Sequence, residues 1–120
     1  FRRSRGLGDV YKRQHHGLTN AIVLPVVLKF NAPAIDDKLP AMCAALGLQS
    51  VDFESFYAVI CQLLDRLSVP VTLAEIGVPA EAARALAEKA HQDAAAGTNP
   101  RPADVATIER LILEAITVGR

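Results

Sequence analysis

The sequence predicts an all-α domain, on three observations. Apolar residues recur at three- and four-residue spacing in several separate stretches, and helix start and stop signals bound those stretches. The one stretch β-branched enough to suggest a strand, Ala21-Ile22-Val23-Leu24-Pro25-Val26-Val27-Leu28, holds a proline at its centre. Proline is confined to edge strands, and an edge strand would not be apolar on both faces. A helix apolar all round, kinked at Pro25 and lying in the middle of a bundle, fits residues 16–31 instead.

The other elements follow in order. Between Ala34 and Leu46, the residues Ile35, Leu39, Met42, Cys43 and Leu46 form a helical face stopped by Gly47, and Asp36 and Asp37 are expected to cap its start. From Asp52, the residues Phe53, Phe56, Tyr57, Ile60, Leu64 and Leu67 share one side of a helix that ends before Pro70. Thr72 and Glu75 have the spacing of a capping box, and Gly77 can end that short turn. Pro79 suits the first turn of a further helix with a small-residue stripe of Ala83, Leu86, Ala87 and Ala90. Gly97 to Pro102 reads as a loop, because two prolines within three residues cannot sit in a helix interior. The last helix starts near Asp104 as N-cap and repeats Ile108, Leu111, Ile112, Ala115 and Ile116 on one side. The expectation is a bundle of five main helices plus a short one, with no sheet.

Composition bounds the function. At 120 residues the chain is one ordinary domain, and 51% hydrophobic with 22% charged residues describes a globular chain. The longest apolar run, Ala21 to Leu28, is eight residues, against about 20 for a membrane span. Cys43 and Cys61 have no C-x-x-C spacing, which excludes a disulfide scaffold and a Cys-rich zinc site; they read as small buried hydrophobes in a reducing cytoplasm. No Gly-rich phosphate loop is present.

The formal charge of zero hides an asymmetry: residues 1–14 carry five basic groups and one acidic, the remainder eight basic and twelve acidic. Clustered Arg and Lys can neutralise nucleic-acid phosphates, so one reading of this tip is a basic arm. The other is a tail outside the fold, and this is the expectation adopted. Arg3-Ser4-Arg5-Gly6-Leu7-Gly8-Asp9-Val10-Tyr11-Lys12-Arg13-Gln14 resembles a translated sequencing-adaptor segment of the sort found at the ends of reading frames assembled from environmental DNA. It has no helical period, and residues 1–14 are set aside as a non-native or disordered basic tail. On that expectation the chain is a fragment whose native N-terminus was longer.

Chemistry is sparse on spacing alone. His15 and His16 are adjacent and diverge in a helix or an extended chain, and neither has a His or Cys at i+3 or i+4 to make a metal pair. His91, among Lys89, Gln92 and Asp93, reads as a solvated helix residue. No G-x-S-x-G elbow and no Cys/His dyad spacing occurs. Asn20 and Asn99 are expected to bond to the local backbone.

Longer motifs reach further. His15-His16-Gly17-Leu18-Thr19-Asn20-Ala21-Ile22-Val23-Leu24-Pro25, followed by Lys29-Phe30-Asn31, resembles the iron-containing (group III) alcohol dehydrogenases, which carry His-Gly-x-x-Asn-Ala-x-x-Leu-Pro and then Phe-Asn or Tyr-Asn. Leu67-Ser68-Val69-Pro70 with Leu73, Glu75 and Gly77 is similar to a turn of that family, and Thr98-Asn99-Pro100-Arg101 to its Asn-Pro-Arg loop before the last helix. The resemblance covers residues 15–120 in the family's order.

The resemblance implies a two-domain parent, with an N-terminal nucleotide-binding domain and a C-terminal helical domain of dehydroquinate synthase-like type. Residues 15–120 correspond to the C-terminal part of the second. It also implies a divalent metal, Fe2+ or Zn2+, held by one Asp and three His. His16 matches the last of these ligands, while His15 falls where many members have Pro. The Asp, the other two His and the Gly-rich cofactor turn would belong to upstream sequence. The implied activity is hydride transfer between a small alcohol, aldehyde or ketone and NAD or NADP, the metal lowering the pKa of the alcohol oxygen and the nicotinamide taking the hydride. The fragment alone is expected to be inactive; nucleic acid and membrane are not expected partners, and the resemblance is compatible with a homo-oligomeric parent. The alternative from a different class is a free-standing helical interaction module with a basic N-terminal arm.

Overall fold

The computed structural model describes the backbone of residues 2–120 and the side chains of residues 17–93 and 96–120. Five α-helices follow in order: α1 (Arg2–Asn31), α2 (Leu39–Ala45), α3 (Phe53–Arg66), α4 (Ala83–Gln92) and α5 (Val105–Thr117), with short 3-10 turns between them and no strand among the described residues. The fold is all-α, as the apolar spacing predicts. The tail expected over residues 1–14 falls on side chains outside the described residues, and the backbone of α1 begins at Arg2.

The α1 helix is the spine of the bundle and carries Pro25 within it. Proline there lacks an N–H and crowds the carbonyl four residues back, costing about 3 kcal/mol, so tertiary burial must offset it. It does so here: Ile22, Pro25 and Val26 are fully buried. Ile22 and Val26 join Leu73, Ala83, Ala115 and Ile116 in the main core. Burying one such aliphatic side chain contributes about 1.5–3 kcal/mol. Leu24, on the far side of the same helix, is 41% exposed, so the apolar sequence does not mean burial all round.

A second, smaller core lies toward the end of α1, where Leu39, Cys43 and Phe56 are buried with Leu28, Met42 and Ile60 packed around them. The predicted face from Ala34 to Leu46 contributes its middle residues to this core, but the helix itself starts only at Leu39. Pro40 is the reason. A proline costs least in the first turn of a helix, which favours a start at the residue before it and leaves 32–38 as a 3-10 turn and a bend. Asp36 and Asp37 therefore do not cap α2; its N-cap is Lys38, with no side-chain cap bond.

The remaining boundaries are set by side-chain caps. Asp52 accepts from the Ser55 backbone N–H at 2.7 Å and Asp104 from that of Thr107 at 2.8 Å, each satisfying a donor that the first helical turn leaves unpaired. At the turn before α4, the Glu75 carboxylate accepts from the backbone N–H of Val71 and Thr72 at 3.0 and 2.9 Å, and Gly77 closes the turn at φ 91°, where a Cβ would be strained. Pro79 precedes a 3-10 turn, Ala80–Ala82, rather than opening α4 directly. Ala83 and Ala87 are buried against the core, and their small size lets α4 lie close to α5. Arg84 and Glu109 span these two helices at 3.2 Å on the surface.

Candidate functional site

One face of α1, reaching the edge of the main core at Val23, opens onto a cleft. Thr19, Asn20, Val23, Val27 and Phe30 lie at three- and four-residue spacing and form one wall of this open cleft of about 660 Å³. Ile108, Leu111 and Ile112 of α5 form the opposite wall, Leu86 and Ala90 of α4 a third side, and Asp93, Ala96, Asn99, Arg101 and Ala103 the rim. The stripe predicted along α4 is thus divided: Ala83 and Ala87 go to the core, Leu86 and Ala90 to the cleft. The walls are aliphatic, while polar groups sit at the rim and at the Thr19–Asn20 end. Such a cavity takes the carbon skeleton of a small molecule and leaves its polar end to converging donors and acceptors.

His15 and His16 precede this face in sequence, but their side chains lie outside the described residues. Helical register places position 16 one turn before Thr19 and Asn20, at the polar end of the cleft. Among the described residues, no three His, Cys, Asp or Glu side chains come together as a group that could hold a metal ion. His91 sits in the last turn of α4 and is exposed, as expected of a solvated residue.

The other end of the cleft is closed by an arrangement that local sequence does not announce. Asn31, the last residue of α1 and only 7% exposed, meets Asn99 from the loop before α5. The Asn31 Nδ2 donates to Asn99 Oδ1 at 3.0 Å, and Asn99 Nδ2 donates to Asn31 Oδ1 at 2.9 Å. Asn99 also donates to the Arg101 carbonyl at 2.6 Å, which is the local bond expected of it. Arg101 in turn donates to the Phe30 carbonyl at 2.8 Å and lies 4.2 Å above the centre of the Phe30 ring. Phe30 O is one of the last carbonyls of a helix, which lack intrahelical partners and carry the negative end of the helix dipole. A guanidinium answers both needs, and its cation–π contact adds to the hold. The sequence does signal each half, as Phe30-Asn31 and Asn99-Pro100-Arg101. Their meeting across 68 residues was not legible.

A separate polar cluster lies on the opposite side of α1. Tyr57 of α3 stacks at 5.7 Å on Phe53, and Lys29 Nζ lies 5.2 Å from its ring centre. Its hydroxyl is covered and has no hydrogen-bond partner among the described residues. Burial, together with the Cys61 thiol beside it and the Glu114 carboxylate, pushes the phenol up to about 12. Cys43 and Cys61 are both free thiols. No helix among the described residues is long and apolar enough to cross a membrane.

Comparison with known proteins places these features in a family. Residues 6–116 match the Fe-containing alcohol dehydrogenase family, C-terminal. The chain is similar to the lactaldehyde reductase of Escherichia coli strain K12, 31% identical over 121 residues that cover 88% of this chain and 32% of that protein. It is similar also to the NAD-dependent methanol dehydrogenase of Bacillus methanolicus, 32% identical over 120 residues covering 94% of this chain and 31% of the relative. The 4-hydroxybutyrate dehydrogenase of Cupriavidus necator is 32% identical over 107 residues, 82% of this chain and 26% of the relative. The chain spans about three-tenths of the length of the curated relatives it matches.

Proposed function

This chain belongs to the Fe-containing alcohol dehydrogenase family, and we propose that it is the C-terminal helical part of a longer dehydrogenase that passes a hydride between an alcohol and NAD or NADP. The observation that carries the reading is the match over residues 6–116, which reaches every helix of the bundle. The cleft supports it from the physical side. Its aliphatic walls suit the carbon skeleton of a small alcohol, aldehyde or ketone, and its polar end lies one helical turn from position 16.

In this reading His16 supplies one ligand to a divalent metal, Fe2+ or Zn2+, and His15 occupies a position that needs no ligand. Neutral imidazole suits either ion, so the histidine does not choose between them. In this reading the remaining ligands and the dinucleotide site come from upstream sequence. When bound, the metal supplies Lewis-acid polarisation of the substrate oxygen. What residues 17–120 do is hold the α1 spine, line the cleft with Val23, Val27, Leu111 and Ile112, and keep water off the substrate's carbon chain. The free thiols accord with a cytoplasmic setting, and no nucleic acid or membrane enters the reading.

The test is a graft. Residues 15–120 replace the corresponding C-terminal segment of the Escherichia coli lactaldehyde reductase, and both the hybrid and the 120-residue chain are assayed with NAD and NADP over a range of small alcohols. The hybrid is expected to retain metal and turn over, and the chain alone to show no cofactor-dependent oxidation. A folded hybrid that holds no metal would contradict the reading, as would turnover by the chain alone.

A further inference from the structure

We propose that residues 96–103 form a strap across one end of the cleft, and that Asn31 and Arg101 are the latch that holds it shut. The proposal goes beyond the dehydrogenase reading and does not depend on it.

Sequence and packing together single out this segment. Pro100 and Pro102 keep it from continuing as helix beyond the 3-10 turn Ala94–Thr98, and none of residues 97–103 is buried, so no apolar side chain pins it into a core. Two of its long-reaching ties are polar and land on the last turn of α1. The two amide bonds between Asn31 and Asn99 make the first tie, and the Arg101 guanidinium on the Phe30 carbonyl and ring makes the second. Asn99 joins the two, because its amide also donates to the Arg101 carbonyl. Asn99, Arg101 and Ala103 of the strap line the cleft together with Phe30 of α1, so the strap is part of its wall. When the strap lifts, the Asn99, Arg101 and Ala103 part of the wall lifts with it, and the apolar faces of Phe30, Val27 and Ile108 meet solvent.

Segments with exposed hydrogen bonds and few buried apolar contacts open locally without global unfolding. Opening the strap need not disturb α5, because the packing of Ala115 and Ile116 belongs to the main core and not to the strap. An amide pair also fixes register in a way that a looser contact would not. Each asparagine offers both a donor and an acceptor, so the closed position is defined by two antiparallel bonds at once. The latch therefore sets one closed position of the cleft mouth, and Asn31 and Arg101 act as positioning residues.

Hydrogen exchange read by mass spectrometry, with hydroxyl-radical labelling of Phe30, tests this on the whole 120-residue chain. Arg101→Ala removes an exposed side chain and leaves no buried orphan, so it should fold. It is expected to raise exchange over residues 97–103 about tenfold and to increase labelling of Phe30, with residues 113–116 of α5 unchanged. Asn31→Ala and Asn99→Ala should each raise strap exchange, and the double variant should exceed neither, because both act through one pair. Unchanged strap exchange in Arg101→Ala would overturn the proposal. So would an equal rise across α5, or additive effects in the double asparagine variant.

Discussion

Gly119 lies directly against the carbonyl group of Val71: a Cβ at position 119 would fall on the Val71 carbonyl oxygen and 2.9 Å from its carbon. The backbone at Gly119 has φ 67°, a left-handed conformation that disfavours any other residue. That close approach lets Arg120 turn back under the start of the 71–77 turn. There the guanidinium donates to Asp65 at 2.7 Å, to the Val69 carbonyl at 2.9 Å and to the Pro70 carbonyl at 3.2 Å. The C-terminal residues thus join α3 to the segment before α4.

Gly119→Ala is expected to lower stability by at least about 1 kcal/mol from the left-handed backbone alone, with more from the displaced Arg120. Val118→Ala, at a side chain 66% exposed, should stay within about 0.5 kcal/mol of the parent. Urea unfolding of the two variants checks the pair. Equal midpoints would mean that the C-terminal turn contributes nothing to the fold.

Tyr57→Phe should stabilise the chain, because it removes a covered hydroxyl with no hydrogen-bond partner among the described residues, a defect that costs about 1–3 kcal/mol. The same variant has a pH signature. The phenol is raised to about 12 in the folded chain, so it holds its proton more tightly folded than unfolded. Its contribution is complete below the ordinary tyrosine value near 10 and is lost as pH rises through about 12. Thermal midpoints between pH 9 and 12 should therefore fall less steeply in Tyr57→Phe than in the parent; parallel curves would contradict this.

At the acid end the sign reverses. The Glu75 carboxyl is held below its ordinary range chiefly by the Thr72 backbone N–H, and that of Asp104 chiefly by the Thr107 side chain and then its backbone N–H. A depressed folded pKa means stability that is present above the ordinary carboxylate range and is lost as pH falls through it. Circular dichroism on acid titration should show helix lost below about pH 4, and Asp104→Asn, which keeps a capping oxygen without a charge, should flatten part of that loss. An unaltered acid transition in Asp104→Asn would remove this capping carboxylate from the account.

Much of this fold was legible because its signals are local. The cap at Asp104, the carboxylate at Glu75 and the turn at Gly77 each act within four residues, and the structure places them as read; the Asp52 cap is equally local but was not singled out. The start of α2 was misplaced because helical spacing from Ile35 outweighed the constraint at Pro40, which decides where a helix can begin. The site was less legible. The cleft is built from five segments, α1, Leu73, α4, the 93–103 stretch and α5, so no single motif outlines it. Asn99 reads as a loop asparagine satisfied locally, and half of its hydrogen bonding is; the other half goes to Asn31, whose distance along the chain gives no cue. His16 is proposed from its motif with Gly17 and Asn20 alone, since spacing offers it no partner.

The central proposal is that this chain delivers one metal ligand, His16, to a dehydrogenase. Metal content per chain, measured in the full-length parent enzyme for His16→Ala and His15→Ala, tests it most directly. Loss of a ligand should cost more than the roughly 10–100-fold in affinity typical of changing a residue behind the ligands. His16→Ala is expected to abolish iron or zinc retention, and His15→Ala to leave it near one ion per chain. Full metal occupancy in His16→Ala, with loss in His15→Ala, would contradict the assignment.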